Sequence, residues 1–265
     1  MAEYYKHLEF ACQTAVAAGE LAMEYFSDLE SLTVHSKGVQ DMVSDADIKT
    51  ELLIRNEIAN EYAADTFLGE ESNELYLAEK GKGTWIVDPI DGTQPFVNGI
   101  RSWCISIAYY DAGQVRIGVI YDPTSNELFA AQYGQGATLN GKLLKVSAAT
   151  SVMDGLVSVG YSNRVTPQDT LQPLERLLHA KGMYYRSGSG ALSLAYVAAG
   201  RLIGYFEPHM NSWDFAAGIL LVKEAGGETN DCLRNEADLL QGGMVIAACA
   251  NVYAELEALV LDQNP

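Results

Sequence analysis

The stretch Trp85-Ile86-Val87-Asp88-Pro89-Ile90-Asp91-Gly92-Thr93 decides how this chain is read. Its three leading apolar residues have the makeup of a buried strand. The strand runs into a carboxylate, a proline and a second carboxylate, followed at once by Gly92 and Thr93. A proline-fixed turn holds Asp88 and Asp91 close together with little freedom to separate. Like charges so near each other repel unless a cation bridges them, and hard divalent cations such as Mg2+ favour oxygen ligands of this kind. The N–H groups of Gly92 and Thr93 stand at an expected helix start, where an anion is welcome. Metal ligands beside an anion cradle point to phosphate chemistry.

Composition frames that reading. With 265 residues, the chain is long enough for one large domain or two packed halves, each with a real core. Apolar residues make up 48% and there are 24 glycines, as expected of a soluble α/β enzyme. The formal net charge of −18 argues against nucleic acid as a direct partner, because the phosphate backbone would be repelled. A phosphate ester could bind only where local cations reverse the field. Cys12, Cys104, Cys232 and Cys249 show no C-x-x-C spacing and sit in apolar surroundings. They read as reduced core thiols of a cytoplasmic protein. The opening residues do not resemble a signal peptide, and no apolar run reaches membrane-spanning length.

Outward from the motif, the pattern alternates between helical and extended periods. Leu8, Cys12, Ala15, Met23 and Phe26 recur at helical spacing, which predicts one long helix over about 3–28. Residues 29–43 read as a mobile connection. Ser44-Asp45-Ala46-Asp47 has the capping-box pattern and opens a second helix carrying Leu52, Leu53 and Ile58. Beyond the motif, 103–110 and 115–121 flank a hairpin turn at Asp111-Ala112-Gly113-Gln114, and 127–132 continues the meander. Asn140-Gly141 is a second hairpin signal. Strands are then expected at 156–161, 183–186, 202–206 and 244–250, and helices at 171–180, 191–199, 213–225 and from about 251. A meander followed by alternating units implies layered helices and sheets, divided into halves at 1–148 and 149–265.

Two further acidic elements stand beside the first. Gly69-Glu70-Glu71-Ser72 follows an apolar stretch, and Asp214 lies in the first turn of an apolar helix. Taken alone, each is ordinary: paired acids are usually solvated, and a first-turn aspartate complements the helix dipole. Three acids at strand or helix ends, from distant parts of the chain, can converge on one metal cluster.

Taken together, Glu70 in its Gly-Glu-Glu-Ser setting, Trp85 to Thr93 with Phe96 beyond, and Trp213-Asp214 to Gly218 with Glu224-Ala225-Gly226-Gly227 resemble the inositol monophosphatase family. The resemblance covers nearly the whole chain. It implies an α/β (α+β) layered α-β-α-β-α sandwich of the inositol monophosphatase and fructose-1,6-bisphosphatase type. It also implies Mg2+-dependent, lithium-sensitive hydrolysis of a small phosphate monoester by water, with two to three Mg2+ per site and no covalent intermediate. By the same resemblance, Glu70, Asp88 and the Ile90 carbonyl hold one metal; Asp88, Asp91 and Asp214 hold a second; and a third, weaker ion leans on Glu70. Thr93 and Asp47 orient the attacking water, with Glu70 in the catalytic set, and the Gly92 and Thr93 amides receive the phosphate. Gly188, Ser189, Gly190 and Glu207 contact the alcohol part of the ester, and the metal-side residues Glu70, Ile90, Asp91 and Asp214 count among the substrate-binding set. Lys37 matches a lysine of the family's mobile loop, and residues 208–212, with His209, stand for its variable segment. Gln94-Pro95 departs from the family's usual Thr-Asn, and Pro95 removes one N–H from the phosphate cradle.

The implied substrate is myo-inositol monophosphate and the implied assembly a homodimer. A 3′-phosphoadenosine 5′-phosphate nucleotidase, a fructose-1,6-bisphosphatase, a histidinol phosphatase and a metal-stabilised interaction module of the transcription machinery are the alternatives. Other phosphate signals fail. The run from Gly136 to Lys142 mimics a P-loop, but Leu143 replaces the hydroxyl residue. No cysteine has an arginine six positions on, and Gly188-Ser189-Gly190 lacks the third glycine of a dinucleotide fingerprint.

Overall fold

The apolar run at Trp85 is the hinge of the architecture. In the computed structural model, which describes residues 4–38, 41–72, 83–235 and 237–262, it lies in a strand buried along its whole length, Thr84–Asp91 (β4). Before it come a long helix Tyr5–Phe26 (α1), a hairpin of Val34–Gly38 (β1) and Asp41–Ser44 (β2), a helix Asp45–Glu61 (α2) and a strand Thr66–Gly69 (β3). After it come a short helix Thr93–Val97 (α3) and the meander Cys104–Asp111 (β5), Gln114–Asp122 (β6), Glu127–Gln132 (β7), Ala137–Leu139 (β8) and Lys142–Leu143 (β9). These strands form one sheet in the order β3-β4-β5-β6-β7-β8-β9, antiparallel except for the β3/β4 pair.

The remaining chain builds a second sheet. Leu156–Val159 (β10), Gln168–His179 (α4), Met183–Tyr185 (β11), Gly190–Ala198 (α5), Gly204–Met210 (β12) and Ser212–Glu224 (α6) alternate along it. Gly227–Thr229 (β13), Asp238–Gln241 (α7), Gly243–Cys249 (β14) and Ala250–Leu261 (α8) follow. The order is β11-β10-β12-β14-β13. The parallel β10/β11 and β10/β12 pairs require helical crossovers, which α4 and α5 supply.

Strand parity sorts the core. Trp85, Val87, Ile105, Ile107, Ile117 and Val119 project to one face of the first sheet and pack under α1 and α2. Ile86, Ala108, Ile120 and Phe129 project to the other, against α5 and α6, and the same cluster reaches Tyr205, Val245 and Ala247 of the second sheet. That sheet's far side, with Val157, Phe206 and Ile246, is covered by α8 and by Leu177 of α4. The layers therefore run α-β-α-β-α. Close approach between layers depends on small residues. A Cβ on Gly118 would stand 2.5 Å from the Ala217 carbonyl oxygen of α6. α1 turns mainly alanines to the sheet, Ala11, Ala15, Ala18 and Ala22, instead of the larger residues its spacing singled out.

Several sequence expectations need correction. Residues 29–43 are not simply a connection, since a 3₁₀ turn at Leu29–Ser31 and the β1/β2 hairpin occupy most of them. The side chain of Lys37 lies outside the described part. On α2 the apolar residues buried are Ala46, Ile54 and Ile58, while Leu52 is 48% exposed. β12 runs through Pro208 and His209 to Met210, so 208–212 is chiefly strand, with a break in its register against β14 between Glu207 and Met210. β13 and α7 are too short and too polar to show a period.

Candidate active site

Asp88 and Asp91 are three residues apart, so a regular strand would send them to opposite faces. β4 avoids this with an irregularity: Asp88 pairs with Ser106 and Asp91 with Cys104, three steps on β4 against two on β5. The extra residue brings both carboxylates to the face that looks at α6, where the Ser106 hydroxyl donates to the Trp213 carbonyl at 3.1 Å. Pro89 sits inside the irregularity, where no ladder donor is required. The Ile90 N–H turns back onto Asp88 Oδ1 at 3.0 Å and fixes that carboxylate.

Neighbouring elements deliver the other acids. β3 runs parallel to β4 with Gly69 beside Val87, so the next residue, Glu70, emerges beside Asp88; its N–H donates to the Val87 carbonyl at 3.2 Å. Asp214 is the third residue of α6 and closes a capping box with Asn211, whose N–H it accepts at 2.8 Å. Its place in the first turn of α6 agrees with the helix-dipole reading of Asp214, and the capping box adds a role that the sequence reading did not name. Glu70, Asp88 and Asp214 present carboxylate oxygens all within 4.8 Å of one another.

Asp91, whose charge also acts on Asp88 and Asp214, is tied to another element. Its Oδ2 accepts the Ser189 hydroxyl and, at 2.7 Å, the Ala191 N–H at the start of α5. The helix start that the sequence assigned to the substrate alcohol is thus partly occupied by a protein carboxylate. Ser189 reaches Asp91 with its side chain, and Gly188 and Gly190 line the cavity wall.

Asp47 and Thr93 meet from distant parts of the chain. Asp47, fully buried in the first turn of α2, accepts the Ser44 N–H at 2.8 Å and the Ser44 hydroxyl at 2.5 Å. Its other oxygen accepts the Thr93 hydroxyl at 3.1 Å, and the Thr93 oxygen also lies 3.3 Å from the Ile90 carbonyl. Gly92 caps α3 with φ of 101°, and a Cβ there would meet the Ser102 carbonyl at 2.8 Å, so only glycine fits this turn. Pro95 falls in the first turn of α3, where an N–H has no intrahelical partner to lose.

Glu70, Asp88, Asp91, Thr93 and Asp214 line a cavity of about 320 Å³ that also holds Glu207, Tyr205, Arg164 and Arg186. Burial sets the electrostatics. Asp88 is driven well above the usual carboxylate range by burial first, then by Glu70, Asp91 and Asp214. Asp214 is pushed to about 8 by burial and by Asp91, against the Asn211 N–H. Burial raises Asp91 as well, opposed by the Ser189 hydroxyl and the α5 amides. Glu207 is raised to about 7 by burial, while the Tyr205 hydroxyl, Arg186 and Arg164 pull it down. The sequence reading missed Tyr205, although its place two residues before Glu207 on one strand puts both on the same face. It also missed the two arginines, which no motif marks.

The donor set fits a divalent cation. Buried Asp88 lies between half-buried Glu70 and Asp214, their charges act on one another, and all three offer hard oxygen ligands. The arrangement is a carboxylate cluster able to hold a metal ion, set in a cavity of a layered α/β protein. The family model described as the inositol monophosphatase family matches residues 3–263. An inositol-1-monophosphatase of Rhizobium meliloti is 37% identical over 97% of this chain and 96% of its own length. A Nus factor SuhB of Escherichia coli strain K12 is 36% identical over 90% of both chains. The crystal structure of the extragenic suppressor protein suhB of Bartonella henselae superposes with a TM-score of 0.88, at 36% identity over 96% of this chain and 98% of that one. The chain belongs to the inositol monophosphatase family, a family of metal-dependent phosphatases. It has that family's layered fold.

Proposed function

We propose that this protein hydrolyses a small phosphate monoester, with myo-inositol monophosphate as the favoured substrate, by attack of water and without a covalent intermediate. The observation that carries the reading is the convergence of Glu70, Asp88 and Asp214 in a cavity also lined by Thr93, whose hydroxyl donates to the buried Asp47 behind it. In it, Glu70, Asp88, Asp214, the Ile90 carbonyl and Asp91 hold two to three Mg2+ ions. When bound, Mg2+ neutralises the phosphate and polarises its ester.

The protein's own groups do the positioning. Asp47 accepts a hydrogen bond from the Thr93 hydroxyl, which leaves the Thr93 oxygen lone pairs free to accept a hydrogen bond from the attacking water and orient it. The Gly92 and Thr93 amides receive phosphate oxygens at the start of α3. On the alcohol side, Glu207 accepts hydroxyl protons from a polyol, with Gly188, Ser189 and Gly190 forming the facing wall. The four free thiols fit a cytoplasmic setting, and the exposed edge strand Met183–Tyr185 offers a surface for a homodimer.

The relatives named Nus factor SuhB favour a second reading, an interaction role in the transcription machinery beside catalysis. The decisive experiment is a substrate panel: inositol monophosphate, fructose-1,6-bisphosphate, 3′-phosphoadenosine 5′-phosphate, histidinol phosphate and p-nitrophenyl phosphate, each with Mg2+ and with added Li+. Hydrolysis of inositol monophosphate that needs Mg2+ and is inhibited by Li+ supports the proposal. No turnover of any ester would leave the interaction reading.

A further inference from the structure

Glu51 is a buried carboxylate that the phosphatase reading does not use. It follows Asp47 by four residues on α2, so both project from one face of that helix. Glu51 is only 5% exposed. Its Oε2 accepts the Glu71 N–H at 2.8 Å, and its Oε1 accepts the Ser72 hydroxyl at 2.6 Å. Both donors belong to the residues directly after Glu70.

An independent feature lies on the other side of Glu70. A Cβ on Gly69 would stand 2.4 Å from Glu51 Oε2 and 2.7 Å from its carboxyl carbon. The carboxylate therefore passes beside the end of β3 through space that only a glycine leaves open. Glu70 is bracketed: upstream its N–H is tied to β4 through the Val87 carbonyl, and downstream the next two residues are tied to Glu51.

We propose that Glu51 is a positioning residue that fixes the segment 70–72 so that the Glu70 carboxylate meets Asp88 and Asp214 at a cation. One face of α2 would then serve the site twice, through Asp47 to Thr93 and through Glu51 to Glu70. The proposal rests on the phosphatase reading for the identity of the cation ligands. A carboxylate that orients a metal ligand acts on metal affinity, whereas a carboxylate that only stabilises the loop acts on unfolding.

The test measures Mg2+ binding by isothermal titration calorimetry, and the Mg2+-induced rise in Tm, on wild type, Glu51→Ala, Glu51→Gln and Gly69→Ala. Glu51→Ala should weaken Mg2+ binding about 10-fold or more. Glu51→Gln, isosteric and able to accept only one of the two donors, should fall between it and wild type. Gly69→Ala keeps the charge but displaces the carboxylate, and should weaken Mg2+ in the same direction. If folded Glu51→Gln and Gly69→Ala both bind Mg2+ within about twofold of wild type, close to measurement scatter on a ~0.4 kcal/mol scale, the positioning role is overturned. That result leaves the phosphatase reading standing, provided wild type still hydrolyses p-nitrophenyl phosphate. Failure of wild type to bind Mg2+ and to hydrolyse that ester overturns both.

Discussion

At the scale of single residues, the informative contrast is between groups that act on the reaction and groups that select the substrate. If the Thr93 hydroxyl orients water, its contribution belongs to the transition state. Thr93→Ala should therefore lower kcat about 100-fold with KM nearly unchanged, in steady-state assays with saturating Mg2+. An unchanged kcat would return Thr93 to a turn role. Glu207 is a different case. It sits with the Tyr205 hydroxyl, and Arg164 and Arg186 partly offset its charge. Glu207→Gln should reduce kcat/KM for inositol monophosphate about 10-fold, worth ~1.4 kcal/mol, and leave p-nitrophenyl phosphate unaffected. Equal loss on both esters would exclude Glu207 as the selector.

Elements matter here through their ends. α3, α5 and α6 each bring their first turn to the cavity, α2 reaches it through the Asp47–Thr93 hydrogen bond, and each is aimed by a cap or a tight glycine: Ser44 with Asp47, Gly92, Ser189, and Asn211 with Asp214. α6 is held at its distance from the first sheet by Gly118, whose missing side chain admits the Ala217 carbonyl. Gly118→Ala should destabilise the fold by ~1–3 kcal/mol in urea unfolding, because the atoms a Cβ would meet, the O, Cα and C of Ala217, are all backbone and cannot step aside. It should also raise the Mg2+ concentration needed for half-maximal activity, since moving α6 moves Asp214. Stability loss without a changed Mg2+ requirement would mean that α6 shifts without carrying Asp214 away from the cluster.

For the whole molecule, the buried acids link metal, pH and stability. Asp88, Asp91 and Asp214 all have folded-state pKa values raised above the unfolded ones, Asp214 to about 8. Their protonated forms favour the folded state, so that stability is fully present below about pH 4, the ordinary range of a free aspartate. It is lost as the pH rises through the folded values, toward about 8 for Asp214. Metal-free protein should show a Tm that falls between pH 5 and pH 8 by differential scanning calorimetry with EDTA. Mg2+ should raise the Tm more at pH 8 than at pH 5, because the cation competes with protons for the same oxygens. A flat Tm without metal would mean that the acids are neutralised by other means.

The local sequence was enough wherever a signal is carried by neighbours in the chain. Turn chemistry marked the hairpins at Ala112-Gly113 and Asn140-Gly141, and both pairs of residues adopt positive φ. The capping box at Ser44 placed the start of α2. The motif from Trp85 to Thr93 pointed to the strand, the two acids and the following helix start, because each depends on residue type and order alone. Other features depend on which surfaces meet, and no local pattern records that. The irregularity in β4 that puts Asp88 and Asp91 on one face appears only against its partner β5. The turn of Asp91 toward Ser189, nearly a hundred residues away, and the placement of Glu51 under Glu70 follow from packing α5 and α2 onto the sheet. Single acids such as Glu51 have no periodic or turn signature. Their meaning comes from the low-dielectric space in which folding encloses them, where every carboxylate must find a donor or a cation.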